Sequence, residues 1–228
     1  MHQGLGDENG KKSILNIKIS IQYETQLKCI ILMFLYSYLL MYVCDLEMYI
    51  SSLWLTKLFF VGINVLWLAS IYFVHRKWGL YQDAELHLRG VGQYFCGMVL
   101  LIGMFAVYLV VVGTERLQDI AIRCTFFDYL WLIFFYIIVA VTEEYIFRIF
   151  FRGELSIILG RMRVFAPLIS AILFGLIHIP QGDLNRAIMT FAFGIVLGYA
   201  KQYWKQCTFL SLIMAHGLYD MIVSVLGI

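Results

Sequence analysis

The sequence predicts an all-α fold, a polytopic helical membrane protein of about seven transmembrane helices. Two observations carry that class. Of the 228 residues, 62% are hydrophobic and only 14% charged, where a soluble domain has roughly a quarter charged. Apolar windows of about 20 residues, long enough to cross a bilayer, also recur along the chain. The net charge of +2 gives no basic surface of the kind nucleic acids need, so the lipid bilayer is an expected partner and nucleic acid is not. Five cysteines, Cys29, Cys44, Cys96, Cys124 and Cys207, are odd in number and show no C-x-x-C spacing. Buried free thiols are expected, without a disulfide framework or a zinc knuckle.

Residues 1–28 are polar, with Gly4, Gly6 and Gly10 among Lys11, Lys12 and Lys18, and are expected to form a flexible or surface-lying tail. The first apolar run starts late and has no small-residue cleavage pattern behind it, which argues against a cleaved signal peptide. Residues 29–228 then form a single membrane domain. Its spans are expected at about Cys29 to Cys44, Leu53 to Val74, Val91 to Gly113, Phe126 to Leu159, Val164 to Ile179, Ala187 to Ala200 and Thr208 to Gly227. The first and sixth are short for a bilayer and would be tilted, extended into their flanks or re-entrant. Lysine and arginine set orientation, because short loops rich in them stay cytoplasmic. Lys28, Arg76, Lys77, Arg89, Arg161, Arg163, Lys201 and Lys205 fall on one side, Arg116, Arg123 and Arg186 on the other. The N-terminus is therefore expected in the cytoplasm.

The fourth segment carries the chemistry. It is apolar almost all round from Phe126 to Ala140, and then brings Glu143, Glu144, Arg148, Arg152 and Glu154 before Gly160 ends it. An ionised group at a bilayer centre costs about 2.5–3.5 kcal/mol even on lenient scales, so these side chains must face other helices. Glu144 and Arg148 are four apart, acid first, the favourable order for a helical pair. Glu143 lies about 100° away round the helix and is left for other work. Counting at 1.5 Å per residue from the turn at Gly160 to Arg163, Glu143 and His178 rise to similar depths, about 25 and 22 Å. His216 and Asp220 share one helical face, as do Phe174 and His178. One carboxylate, two imidazoles and a second carboxylate can thus converge inside the membrane.

Each feature has a plainer explanation by itself. A Glu–Arg pair is often only a structural bridge, and an intramembrane histidine often makes a single interhelical hydrogen bond. Gly194-Ile195-Val196-Leu197-Gly198 is a small-x-x-x-small packing face, and Phe174, Phe191 and Phe193 are simply core. His2, His75 and His87 fall in the tail or a polar loop and are set aside. The plain explanations do poorly with an unpaired Glu143 beside two histidines at matched depth, since each adds insertion cost.

Taken in order, Glu143-Glu144-x-x-x-Arg148, Phe174-x-x-x-His178 and His216-x-x-x-Asp220 resemble the motif set of the intramembrane glutamate endopeptidases that include the CAAX prenyl proteases and the bacteriocin-processing or Abi proteins, the CPBP family. The resemblance covers about residues 126–228, the core of the last four spans, and Phe193 to Gly198 is similar to a weaker motif of that family. Asp220 departs from it, standing where the prenyl endopeptidases usually have asparagine. The resemblance implies hydrolysis of a peptide bond in a membrane-associated peptide or protein, with no metal and no cofactor. By the same resemblance Glu143 is the general base on a water held with His178, and His216 and Asp220 face the developing oxyanion. Asp220 can donate there only when protonated, and can instead accept from His216 and fix its tautomer. Glu144, Arg148 and Phe174 support the site. The short chain and Asp220 look more like the bacterial branch, so the bacterial plasma membrane is the expected location.

Two other readings remain open on the residues alone. Two histidines and two carboxylates suit a zinc metalloprotease, although no H-E-x-x-H pair is present. A non-catalytic bacteriocin self-immunity protein would keep the same motifs as structure. Substrate and oligomeric state are not written in the sequence.

Overall fold

A computed structural model gives the architecture and describes residues 5–44, 46, 49–50, 52–79, 90–112, 126–180 and 184–226. Arg89, Arg116, Arg123, Cys124, His2 and His87, named above, lie outside the described residues. Among those described, all regular structure is helical: α1 (Leu5–Cys44), α2 (Leu53–Trp78), α3 (Val91–Val112), α4 (Phe126–Glu144), a π-helical segment (Tyr145–Phe151), α5 (Arg152–Leu159), a 3-10 turn (Gly160–Phe165), α6 (Ala166–Ile177), α7 (Leu184–Tyr203) and α8 (Phe209–Leu226). Helix α1 begins at Leu5, inside the segment expected as a polar tail.

Among the described residues, four segments are long and apolar enough to cross a membrane, Gln22–Cys44, Trp54–Trp78, Val91–Val110 and Phe126–Ile177, and Phe209–Val225 is a shorter apolar helix. The protein is a polytopic helical membrane protein. The 52 residues of the fourth segment are two rods folded back on each other. Gly160, at φ +53°, makes that fold, because a left-handed backbone is open to glycine at no steric cost. The expected fifth span is much shorter than the sequence suggested. The 3-10 turn absorbs its start and His178 ends it, leaving 12 residues of α6, about 18 Å at 1.5 Å each, against roughly 30 Å of hydrocarbon. The first span, expected to be short, reaches 23 residues because it starts at Gln22.

Helix α6 packs on α7, and α8 packs on both α3 and α4. The α6–α7 contact is set by small residues: a Cβ at Gly194 would stand 2.8 Å from Ala171 Cβ, and one at Gly198 would stand 3.1 Å from Pro167 Cβ. The backbones meet because neither glycine has that atom, which is how apolar helices gain packing where hydrophobicity supplies no drive. Helix α8 opens on Thr208, whose Oγ1 accepts from the N–H of Ser211 while Ser211 Oγ accepts from the N–H of Thr208. This reciprocal cap satisfies two donors that the first turn leaves free. Ser211 Oγ also donates to Gln93 O on α3 at 2.9 Å, tying the cap to its neighbour.

Two apolar cores result. Trp67, Ile71, Phe147, Phe150, Phe151 and Ile177 belong to one, and Met104, Phe193, Leu197, Leu212, Ala215 and Tyr219 to the other. Trp67 joins α2 to both α1 and the π segment: its Nε1–H donates to Ser37 Oγ at 2.8 Å and its ring stands edge-on to Phe147. Cys29, Cys96 and Cys207 are free thiols, and Cys44 is buried.

Candidate active site

Four helical ends and faces deliver the polar side chains predicted from sequence to one place. The last turn of α4 brings Glu143 and Glu144, the π segment brings Arg148, the C-terminal end of α6 brings Phe174 and His178, and the middle of α8 brings His216 and Asp220. Glu143, Glu144, Arg148, His178 and His216 are all buried, Glu144 completely. Asp220 is the most open of the group, with 24% of its side chain exposed.

His178 terminates α6. Its Nδ1–H donates to Phe174 O at 2.8 Å, so in the neutral ring the lone pair is on Nε2. That nitrogen lies 3.8 Å from Glu143 Oε1. His216 Nε2 lies 3.7 Å from the other oxygen of the same carboxylate, Oε2. Both separations exceed a direct hydrogen bond. Glu143 thus stands between two imidazoles without being tied to either.

Glu144 is held on two sides. Arg148 Nε is 3.1 Å from Oε2, while Oε1 accepts from His216 Nδ1–H at 2.8 Å. The Arg148 contact is an ion pair without the angle of a hydrogen bond, since neither Glu144 Oε2 nor the three guanidinium nitrogens meet a hydrogen-bond partner. The guanidinium lies instead over the ring of Phe174, 4.3 Å from its centre, an attraction that strengthens when water is excluded. Sequence spacing gave Glu144 the cation alone; the link to His216, 72 residues away, depends on how α8 packs on α4.

His216 is the most crowded ring. Nδ1 faces Glu144 and Nε2 faces Asp220 Oδ2 at 3.3 Å as well as Glu143. A neutral ring donates from one nitrogen only, so the second contact needs either an imidazolium or a protonated carboxyl. Phe174 packs among the polar groups, its ring 4.8 Å from those of both Phe147 and His178 and 6.3 Å from His216. It lies between the two histidines while contacting the cation.

Two features escaped the sequence. Residues Tyr145–Phe151 form π turns directly after the glutamate pair, where helical spacing suggested unbroken α-helix. Ser170 Oγ–H donates to Phe147 O at 2.6 Å and Arg152 Nε–H to Arg148 O at 2.7 Å, so neighbouring side chains serve the carbonyls of the widened turns. His75, set aside above, belongs to α2 and meets Tyr145 OH at 2.9 Å. Among the described residues, no group of three or more His, Cys, Asp or Glu is arranged to hold a metal ion.

A family model described as type II CAAX prenyl endopeptidase, Rce1-like, matches residues 125–222. That segment matches the CAAX protease family. It runs from the start of α4 to beyond Asp220, and so holds Glu143, Glu144, Arg148, Phe174, His178, His216 and Asp220. Helices α1 to α3 lie outside the matched segment. No curated protein and no solved structure matches the chain.

Proposed function

We propose that the protein is an intramembrane endopeptidase that hydrolyses a peptide bond in a membrane-associated peptide or protein, using water activated by Glu143. The observation that carries this reading is the position of the Glu143 carboxylate, with one oxygen 3.8 Å from His178 Nε2 and the other 3.7 Å from His216 Nε2, while the cation is occupied by its neighbour Glu144.

The chemistry follows from which atoms can donate. With Nδ1–H committed to Phe174 O, neutral His178 presents an acceptor at Nε2, and Glu143 presents a second acceptor. A water between them gives one hydrogen to each, which turns its oxygen lone pairs toward an incoming carbonyl. Glu143 takes the proton as the C–O bond forms, and returns it to the departing amine as the C–N bond breaks. Charge that builds on the carbonyl oxygen needs a donor already aimed at it. His216 is the group suited to supply one from Nε2, with Asp220 beside that nitrogen to orient the ring. Glu144 and Arg148 fix the other face of His216 and balance its charge. The substrate class is a peptide presented at membrane depth, either a lipidated C-terminus or a leader of a bacterial membrane-active peptide.

The test compares wild type with Glu143→Gln. Membranes carrying each are analysed for released and accumulated peptides, and the purified proteins are assayed on the candidates. Cleavage by wild type and none by Glu143→Gln at equal folded protein is the expected result. Equal turnover by the two proteins would remove Glu143 as the base.

A further inference from the structure

A second buried polar cluster lies where α1, α2 and α5 meet. Glu154 is fully buried. Its Oε2 accepts a hydrogen bond from Gln26 on α1, and its Oε1 is 3.5 Å from His75 Nε2 on α2. His75 Nδ1 lies 2.9 Å from Tyr145 OH. The roles are mutually consistent for a neutral ring: Nε2–H points to the carboxylate, and Nδ1 accepts the phenolic proton. Aromatic neighbours fix the His75 ring, with Tyr145 and Phe150 edge-on at 5.9 and 5.4 Å. Tyr145 in turn packs against Tyr72 and Phe209.

The placement of these contacts along the chain is what gives them meaning. Tyr145 is the first residue of the π segment and follows Glu144 directly, while Glu154 comes three residues after the last, Phe151. One imidazole therefore grips both ends of the widened stretch. A π turn bonds i to i+5 where an α turn bonds i to i+4, and one residue of slippage turns a helix by about 100°. Relaxation of the segment to α geometry would rotate Glu143 and Glu144 relative to everything after it. We propose that His75 is a positioning residue of the Glu143 site: through Tyr145 and Glu154 it holds the π segment wound, and so sets the direction of Glu143 and the seating of Glu144 on His216. This rests on the peptidase reading for its kinetic consequence, but its structural consequence can be read without activity.

The experiment uses full-length protein in detergent or nanodiscs, with His75→Ala, Tyr145→Phe, the double variant and His75→Gln, whose amide can accept from Tyr145 and donate to Glu154. Per folded protein, kcat is expected to fall about ten- to hundredfold in His75→Ala and in Tyr145→Phe, the scale that follows small misplacements of reacting groups, with KM near wild type. The double variant should be no worse than the poorer single one, because both break one chain of contacts, and His75→Gln should recover most of the rate. In parallel, the ring 15N resonances of His216, assigned with His216→Gln, should move in Tyr145→Phe. Unchanged kcat, or losses that multiply in the double variant, would overturn the clamp. Were wild type itself to cleave no peptide, the peptidase reading would fall separately, and the His216 resonances would still decide: displaced in Tyr145→Phe they support the clamp, unmoved they reject it.

Discussion

Glutamine at position 143 keeps the shape and much of the hydrogen-bonding capacity of glutamate but cannot take a proton, so Glu143→Gln should lose cleavage while its melting temperature in detergent stays near wild type. Arg148→Ala should behave differently. Its guanidinium is buried beside Glu144 and over Phe174, and removing one partner of a buried ion pair costs about 3–5 kcal/mol. A lower folded yield together with lost activity is expected; a variant as stable as wild type would mean that the pair is not what holds Glu144. Asp220→Asn tests whether Asp220 need only hydrogen-bond or must carry a proton. Its Oδ2 stands 3.3 Å from His216 Nε2, and an asparagine oxygen can still accept there, while its amide can donate to an oxyanion. Retained cleavage fits either an orienting acceptor or a donor, whereas complete loss would identify Asp220 as a proton carrier.

At the scale of the element, the α6–α7 contact should tolerate little added volume. A methyl at Gly194 meets Ala171 Cβ and Cα at 2.8 and 2.9 Å, and the second of these is backbone that cannot rotate away. Gly194→Ala should destabilise by about 1–3 kcal/mol, the usual cost of overpacking, and should disturb His178 through α6. Gly62, also within a helix, has nothing within 4 Å of an added Cβ. Gly62→Ala should therefore be neutral, or stabilising by up to about 1 kcal/mol from helix propensity. Thermal melts of the two variants side by side check the pair, and equal destabilisation would contradict the packing described. The glycine spacing was legible as a packing face in the sequence. The π turns were not, because α and π helices have no distinguishing residue pattern over seven positions, and the choice falls to contacts such as Ser170 with Phe147 and Arg152 with Arg148.

For the whole molecule, an integral helical bundle should stay in the membrane pellet through alkaline carbonate washing and require detergent for release; recovery in the wash would contradict the spans. Cleavage by the purified protein should also survive strong chelators. Tightly bound zinc whose removal abolishes cleavage would favour the metalloprotease reading instead. Glu143, His178 and His216 come from α4, the end of α6 and α8, so the site belongs to no single helix pair. Movement of α8 against α4 changes its distances at once, and the buried bond between His216 and Glu144 is the sensor of that movement.

The sequence alone determined the class, through sustained apolar windows, and most of the site, because charged side chains in an apolar span are costly enough that their helical spacing reports what they face. Spacing placed Glu144 with Arg148 and His216 with Asp220, since partners four residues apart need only a helix. Similar counts from one turn brought Glu143 to about the depth of His178. Contacts between distant parts of the chain were decided by tertiary structure alone: the sharing of Glu144 between Arg148 and His216, the two imidazoles on either side of Glu143, the short α6, and the bridge from Gln26 through Glu154 and His75 to Tyr145. Their physical reason is the same in each case. Such contacts depend on the approach and rotation of whole helices, which small residues, caps and packed rings fix, and which no local period encodes.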